Sequence, residues 1–227
     1  MSHEDDVIKA LKANPISRMV AERVAKDPKY AEYIREVRTI LKPILDDLLK
    51  IGYKVERLSA LRSHKDAWKA SIPVLLHWLP SISHLNIRKE IIGLLGTPWT
   101  GNKATKYLIE EFRKTALDHP LHAWTIGNTL STVDVKGFEN EIISLTRNSK
   151  YGIARQMLAM GLHRLHNSEA EGAALDLLDD EDVKVHAIIA LGKMKSKRAL
   201  FHLEKLLADK RPLVRKEARK AITKIMR

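Results

Sequence analysis

The chain has 227 residues, a formal net charge of +12 and no cysteine, which excludes disulfides, thiolate zinc sites and cysteine nucleophiles. Its longest strongly apolar stretch, 72–80, is broken by Pro73 and His77 and falls far below the roughly 20 residues a membrane-spanning helix needs. The N-terminal MSHEDDVIKALK is acidic and amphipathic, unlike the basic-then-apolar layout of a secretory signal. Together these features predict a soluble cytoplasmic protein with no membrane insertion, able to bury one continuous, elongated core.

In chain order, residues 5–13 and 17–26 read as short helices split by Asn14 and Pro15. A longer helix is expected over 28–51, kinked or interrupted at Pro43. Residues 53–62 read as a degenerate helix 31 residues out of step from Ile87. From residue 70 one pattern recurs. With Ile87, Leu121, Gly152, Val183 and Val214 as position zero, the intervals are 34, 31, 31 and 31 residues. The inserted turn TPWTGN at 97–102 accounts for the longer first interval. Each copy carries two amphipathic stretches, and the second, starting at position zero, buries positions such as Ala187, Ile188 and Leu191. Glycines nine residues on (Gly96, Gly161, Gly192) and alanines near position seven (Ala159, Ala190, Ala221) allow close helix approach. Asp118 and Asp182 precede second helices, where a carboxylate accepts orphan amide hydrogens.

A period near 30 with two apolar patches per copy specifies an all-α solenoid of stacked helix pairs. Second helices are expected to start near 87, 121, 152, 183 and 214, within repeats spanning 70–227. Residues 1–69 are expected to form a helical N-terminal cap, because the terminal unit of a solenoid must cover the exposed edge of the core.

The segments VRKEARKA in the last copy and VKVHAIIALGK before it resemble HEAT repeats of the short bacterial type. The wording YGIARQMLAMGL, HAIIALGKMKSKRAL and HWLPSI is also similar to bacterial HEAT-repeat proteins that carry no agreed activity. The resemblance covers about 70–227 and implies a right-handed solenoid whose second helices line a concave, ligand-facing side. Ile153 and Lys184 stand where that pattern has an arginine after position zero, so the internal Asp–Arg ladder is expected to be incomplete.

The candidate site is a row. Position three of successive second helices holds Glu90, Trp124, Arg155, His186 and Glu217, with Asn128 one turn beyond Trp124. An aromatic ring and a planar guanidinium suit a binding groove. Packed helices lie about 8–10 Å apart, so Trp124, Arg155 and His186 are expected to span roughly 20 Å. General acid–base partners must approach to about 3 Å. The row therefore favours an extended protein or peptide partner and a non-enzymatic scaffold over a compact reaction centre.

A metal site is not expected. His163 and His166 are three apart but read as a surface pair, no HExxH occurs, and the one His-Glu dipeptide is His3-Glu4. No phosphate-cradling glycine loop or GxSxG turn is present, and no cofactor is implied. Trp78 sits at core spacing, whereas Trp99 in the inserted turn reads equally as a lid or a plug.

The charge is uneven. Residues 193–227 hold thirteen Lys and Arg against three Asp and Glu, directly after an acidic stretch at 168–182. The basic set comprises Lys193, Lys195, Lys197, Arg198, Lys210, Arg211, Arg215, Lys216, Arg219, Lys220 and Lys224. It is either a solubilising cap or a patch for phosphate backbones, which makes nucleic-acid binding the alternative function. A HEAT-like DNA alkylation glycosylase is the weakest reading, since no acid stands beside Trp124 at one-turn spacing on its helix.

Overall fold

The computed structural model describes residues 15–227, and the expected helix over 5–13 and the His3-Glu4 dipeptide lie outside them. The described residues are predominantly helical and include no strand. Helix α1 spans Pro15–Lys26 and α2 spans Pro28–Lys50. Asp27 caps α2, its Oδ1 accepting from the Tyr30 amide at 3.1 Å, and Pro28 fills a first-turn position where no amide hydrogen is needed. Pro43 lies inside α2 without ending it. Gly52, at φ +93°, turns the chain out of α2. The expected helix over 53–62 is absent. An irregular run leads instead to a short 3-10 turn, Leu58–Ser63, which buries Leu58 and Leu61.

Helix pairs follow: α3 (Lys65–Trp78) with α4 (Leu85–Leu95), α5 (Thr105–Thr115) with α6 (Pro120–Leu130), and α7 (Glu139–Arg147) with α8 (Gln156–Gly161). The last pairs are α9 (Ser168–Asp176) with α10 (Lys184–Met194), and α11 (Leu200–Lys205) with α12 (Pro212–Met226). The second helices pack in sequence, α4 on α6, α6 on α8, α8 on α10 and α10 on α12. This is the stacking expected of an all-α solenoid.

Apolar burial follows the stacking. One cluster runs from Ile44 to Leu158 and a second from Ile143 to Ile225. They part in the third pair, where neighbours on one helix take opposite sides: Ile142 and Ile143 on α7, Leu158 and Ala159 on α8. Small residues set the closest approach between α10 and α12. A Cβ at Gly192 would lie 2.9 Å from both Cα and Cβ of Ala221.

The indoles tie the N-terminal half together. Trp78 is half-buried against the first cluster, and its Nε1 donates to Asp47 Oδ2 on α2 at 2.9 Å. Trp68 Nε1 donates to the Leu94 carbonyl at 2.7 Å. Trp99 sets its ring edge-on to Trp68 with centroids 5.6 Å apart, so the inserted turn packs against α3.

Two expected caps do not form. Neither Asp118 nor Asp182 bonds a helix amide. The Asp182 amide instead donates to Asp180 Oδ1 at 3.0 Å, a turn that uses the earlier carboxylate. Asn148 caps the 3-10 segment after α7, and Asn167 caps α9.

Candidate binding face of the second helices

The third copy departs from the expected register. Gly152 has φ +46° and ψ −131°, a conformation that residues with a Cβ rarely adopt. Residues 149–155 form 3-10 turns around it, and α8 begins only at Gln156. The segment rotates and turns Arg155 inward.

Arg155, expected on the groove, is 1% exposed. Its Nε donates to the Gly152 carbonyl (3.2 Å), Nη1 to the Thr146 carbonyl (3.0 Å) and Nη2 to Asp180 Oδ2 (2.6 Å). A guanidinium sequestered this way binds no ligand. It is the missing arginine of the internal ladder, displaced by the local register.

The ladder is therefore fuller than Ile153 and Lys184 suggested. Arg88 pairs with Glu111 at 2.6 Å and donates to the Leu79 and Ile82 carbonyls. Lys184 is buried, its Nζ bonding Glu181 at 2.6 Å and approaching Asp209 at 3.8 Å. Arg215 donates to the Asp209 and Lys210 carbonyls. Each cation ties a second helix to the turn before it, and Arg88, Arg155 and Lys184 each reach an acid of the following repeat.

The face left open differs in composition. Trp124 is half-buried, and its Nε1 donates to Gln156 Oε1 at 3.2 Å. Gln156 Nε2 donates to the Asp182 carbonyl at 2.9 Å, which links three repeats along the surface. Gln156 thus stands where Arg155 was expected, and only the positive φ at Gly152 explains the exchange. Leu121, one turn before Trp124, is 69% exposed, and Ile153, three residues before Gln156, is 40% exposed. Asn128 is exposed on α6. Glu90, His186 and Glu217 are each half-buried. Burial holds the His186 imidazole below the usual histidine range, and its Nδ1 has no hydrogen-bond partner.

The basic set divides. Arg198 pairs with Glu171 at 2.9 Å, Lys220 with Glu217 at 2.7 Å and Arg211 with Glu181 at 2.8 Å, while Arg215 belongs to the ladder. Among the described residues, Lys193, Lys195, Lys197, Lys210, Lys216, Arg219 and Lys224 are exposed and make no ion pair. Of the expected surface pair, His166 is exposed and His163 half-buried. Among the described residues, no three His, Asp or Glu side chains group as metal ligands, and no helix is long and apolar enough to cross a membrane.

Residues 139–223 match the family model for HEAT repeats, so the last three helix pairs are HEAT repeats. No curated protein and no solved structure gives a significant match to the chain.

Proposed function

We propose that this chain is a non-enzymatic scaffold that holds an extended protein partner along the exposed face of its second helices. The supporting observation is the run Leu121, Trp124, Gln156 and Ile153. It sets two exposed aliphatic side chains and a half-open indole across adjacent repeats, with a hydrogen-bonded amide between them. Aromatic anchors in a polar rim dominate protein interfaces. The strong cations of the ladder are consumed internally, which leaves the centre of the face without the spaced charges a polyanion needs.

The test compares proteins captured by the unmodified chain with those captured by Trp124→Ala, followed by affinity measurement on the partner identified. Binding should weaken by about 2 kcal/mol or more, as for an aromatic hot spot, with little change in Tm. An unchanged set of captured proteins together with a large fall in Tm would make Trp124 a packing residue and defeat the proposal.

A second reading has its own observation: Lys197, Lys216, Arg219 and Lys224 are exposed and unpaired. Nucleic acid held there should be lost steeply with salt, with a log–log slope of about −0.9 per phosphate contacted. Replacing Lys216 and Arg219 by Glu should abolish retention on duplex DNA. No retention by the unmodified chain at about 50 mM salt refutes this reading.

A further inference from the structure

We infer that a recess at the C-terminal ends of the second helices receives a phosphate group carried by the protein partner. The inference rests on the scaffold reading and specifies the chemistry of what that face recognises.

The recess is an open surface hollow of about 430 Å³ and draws on three successive repeats. Asn128, Ser131 and Thr132 come from the end of α6, His163 and Arg164 from the turn after α8, and Lys193 from α10. Gly161 sets the approach of the two helices, because a Cβ there would lie 2.9 Å from Ser131 Cβ. Among the described residues, no carboxylate lines the recess and Lys193 makes no ion pair. Arg164 is anchored by Nη1, which donates to the Ser131 and Val133 carbonyls, so its planar head is fixed where it lines the cavity. The Ser131 and Thr132 hydroxyls both donate to the Asn128 carbonyl. That leaves the Asn128 amide, the Arg164 fork and the Lys193 ammonium to donate to a ligand.

Donors drawn from three repeats suit the three terminal oxygens of a phosphate ester better than the two of a planar carboxylate. A phosphoprotein fits better than a nucleic-acid strand, because the cations that line this recess, Arg164 and Lys193, meet in one pocket and not along a track.

His163 adds a proton to the chemistry. Its Nδ1 lies 2.8 Å from the Met160 carbonyl, which can only accept, so Nδ1 carries the hydrogen and Nε2 is left with the lone pair. Burial holds the ring below the usual histidine range, against the pull of the Met160 carbonyl, and the charges of Lys193, Arg164 and His166 push the same way as burial. The side chains facing it from α6 are uncharged. A bound anion raises this pKa, so binding takes up a proton and tightens as pH falls.

The experiment is an NMR titration of the whole chain with inorganic phosphate and then O-phosphoserine. Saturable shifts should centre on Asn128, Ser131, Thr132, His163, Arg164 and Lys193. Lys193→Ala, exposed and unpaired, should fold normally and bind about tenfold more weakly. Sulfate, which does not itself titrate in this range, should bind tighter at about pH 6 than at about pH 8. His163→Gln should flatten that difference.

The absence of saturable shifts, equal shifts at 216–224, or unchanged affinity in Lys193→Ala would overturn the site. A single-stranded oligonucleotide that binds the same resonances more tightly than O-phosphoserine would overturn the partner class. Failure here with Trp124-dependent capture intact removes the phosphate site alone. Phosphate binding without Trp124-dependent capture removes the scaffold reading alone.

Discussion

Arg155→Ala separates a ladder residue from a ligand-binding one, and the structure sets the expected size of the effect. Three hydrogen bonds disappear. The Thr146 carbonyl belongs to a buried residue, and its loss leaves an acceptor with little access to water. Asp180 loses its 2.6 Å partner, yet its side chain is 24% exposed and it keeps the Asp182 amide as a donor. Breaking a wholly buried ion pair costs about 3–5 kcal/mol. Because water reaches Asp180, the expected loss is discounted to about 2–4 kcal/mol, which includes the orphaned carbonyl at about 1–3 kcal/mol. Urea unfolding followed by circular dichroism measures it as a lower midpoint. Asp180→Asn in a double-mutant cycle should show coupling of about 1 kcal/mol or more. A variant within about 0.5 kcal/mol of the parent, the range of ordinary surface substitutions, would refute the ladder role.

Gly192→Ala tests the close approach of α10 and α12. The added methyl meets Ala221 Cα as well as Cβ, so the helix backbone must move, at a cost of about 1–3 kcal/mol; an unchanged Tm would mean that the two helices already lie further apart. Acid should also destabilise the fold. Burial holds His122, His163 and His186 below the usual histidine range, for His122 in spite of Glu111 beside it. The unfolded chain therefore takes up protons that the folded chain refuses. Stability is full above the unfolded value of about 6.5 and falls as pH drops below it towards the folded pKa values. Tm measured across that range should decline, and His186→Asn should reduce the decline; a Tm that rises into acid would reverse the assignment.

The legible and illegible parts of this sequence differ in physical kind. Apolar spacing is redundant, since each second helix repeats it several times, and no single residue can mislead the count. Starts near 87, 121, 183 and 214 therefore fall within two residues of α4, α6, α10 and α12. Residues 53–62 carry no such redundancy. A few apolar residues there serve a 3-10 turn as well as a helix, and tertiary contact decides between them. Side-chain direction along a helix is more fragile still, because an offset of one residue turns a side chain by about 100°.

Arg155 shows how that fragility operates at a site. Counting 31 residues back from Val183 puts position zero at Gly152 and Arg155 on the open face. Counting by chemistry, from Lys184 back to the cation that reaches the same turn one repeat earlier, gives an interval of 29 and places Arg155 inside. The two counts disagree because Gly152 takes a positive φ and α8 starts late. A glycine at position zero, where the other copies carry Ile, Leu or Val, was the available signal, since no aliphatic side chain anchors that turn. Asp180 was the other: it is an acid one turn ahead of α10 with no arginine at the expected place to meet it. In a solenoid the acid of one repeat fixes the rotation of the helix before it, so cations are best assigned by partner first and by period second. By that rule Arg164, anchored only to carbonyls, and Lys193, which meets no acid, stay available to a ligand.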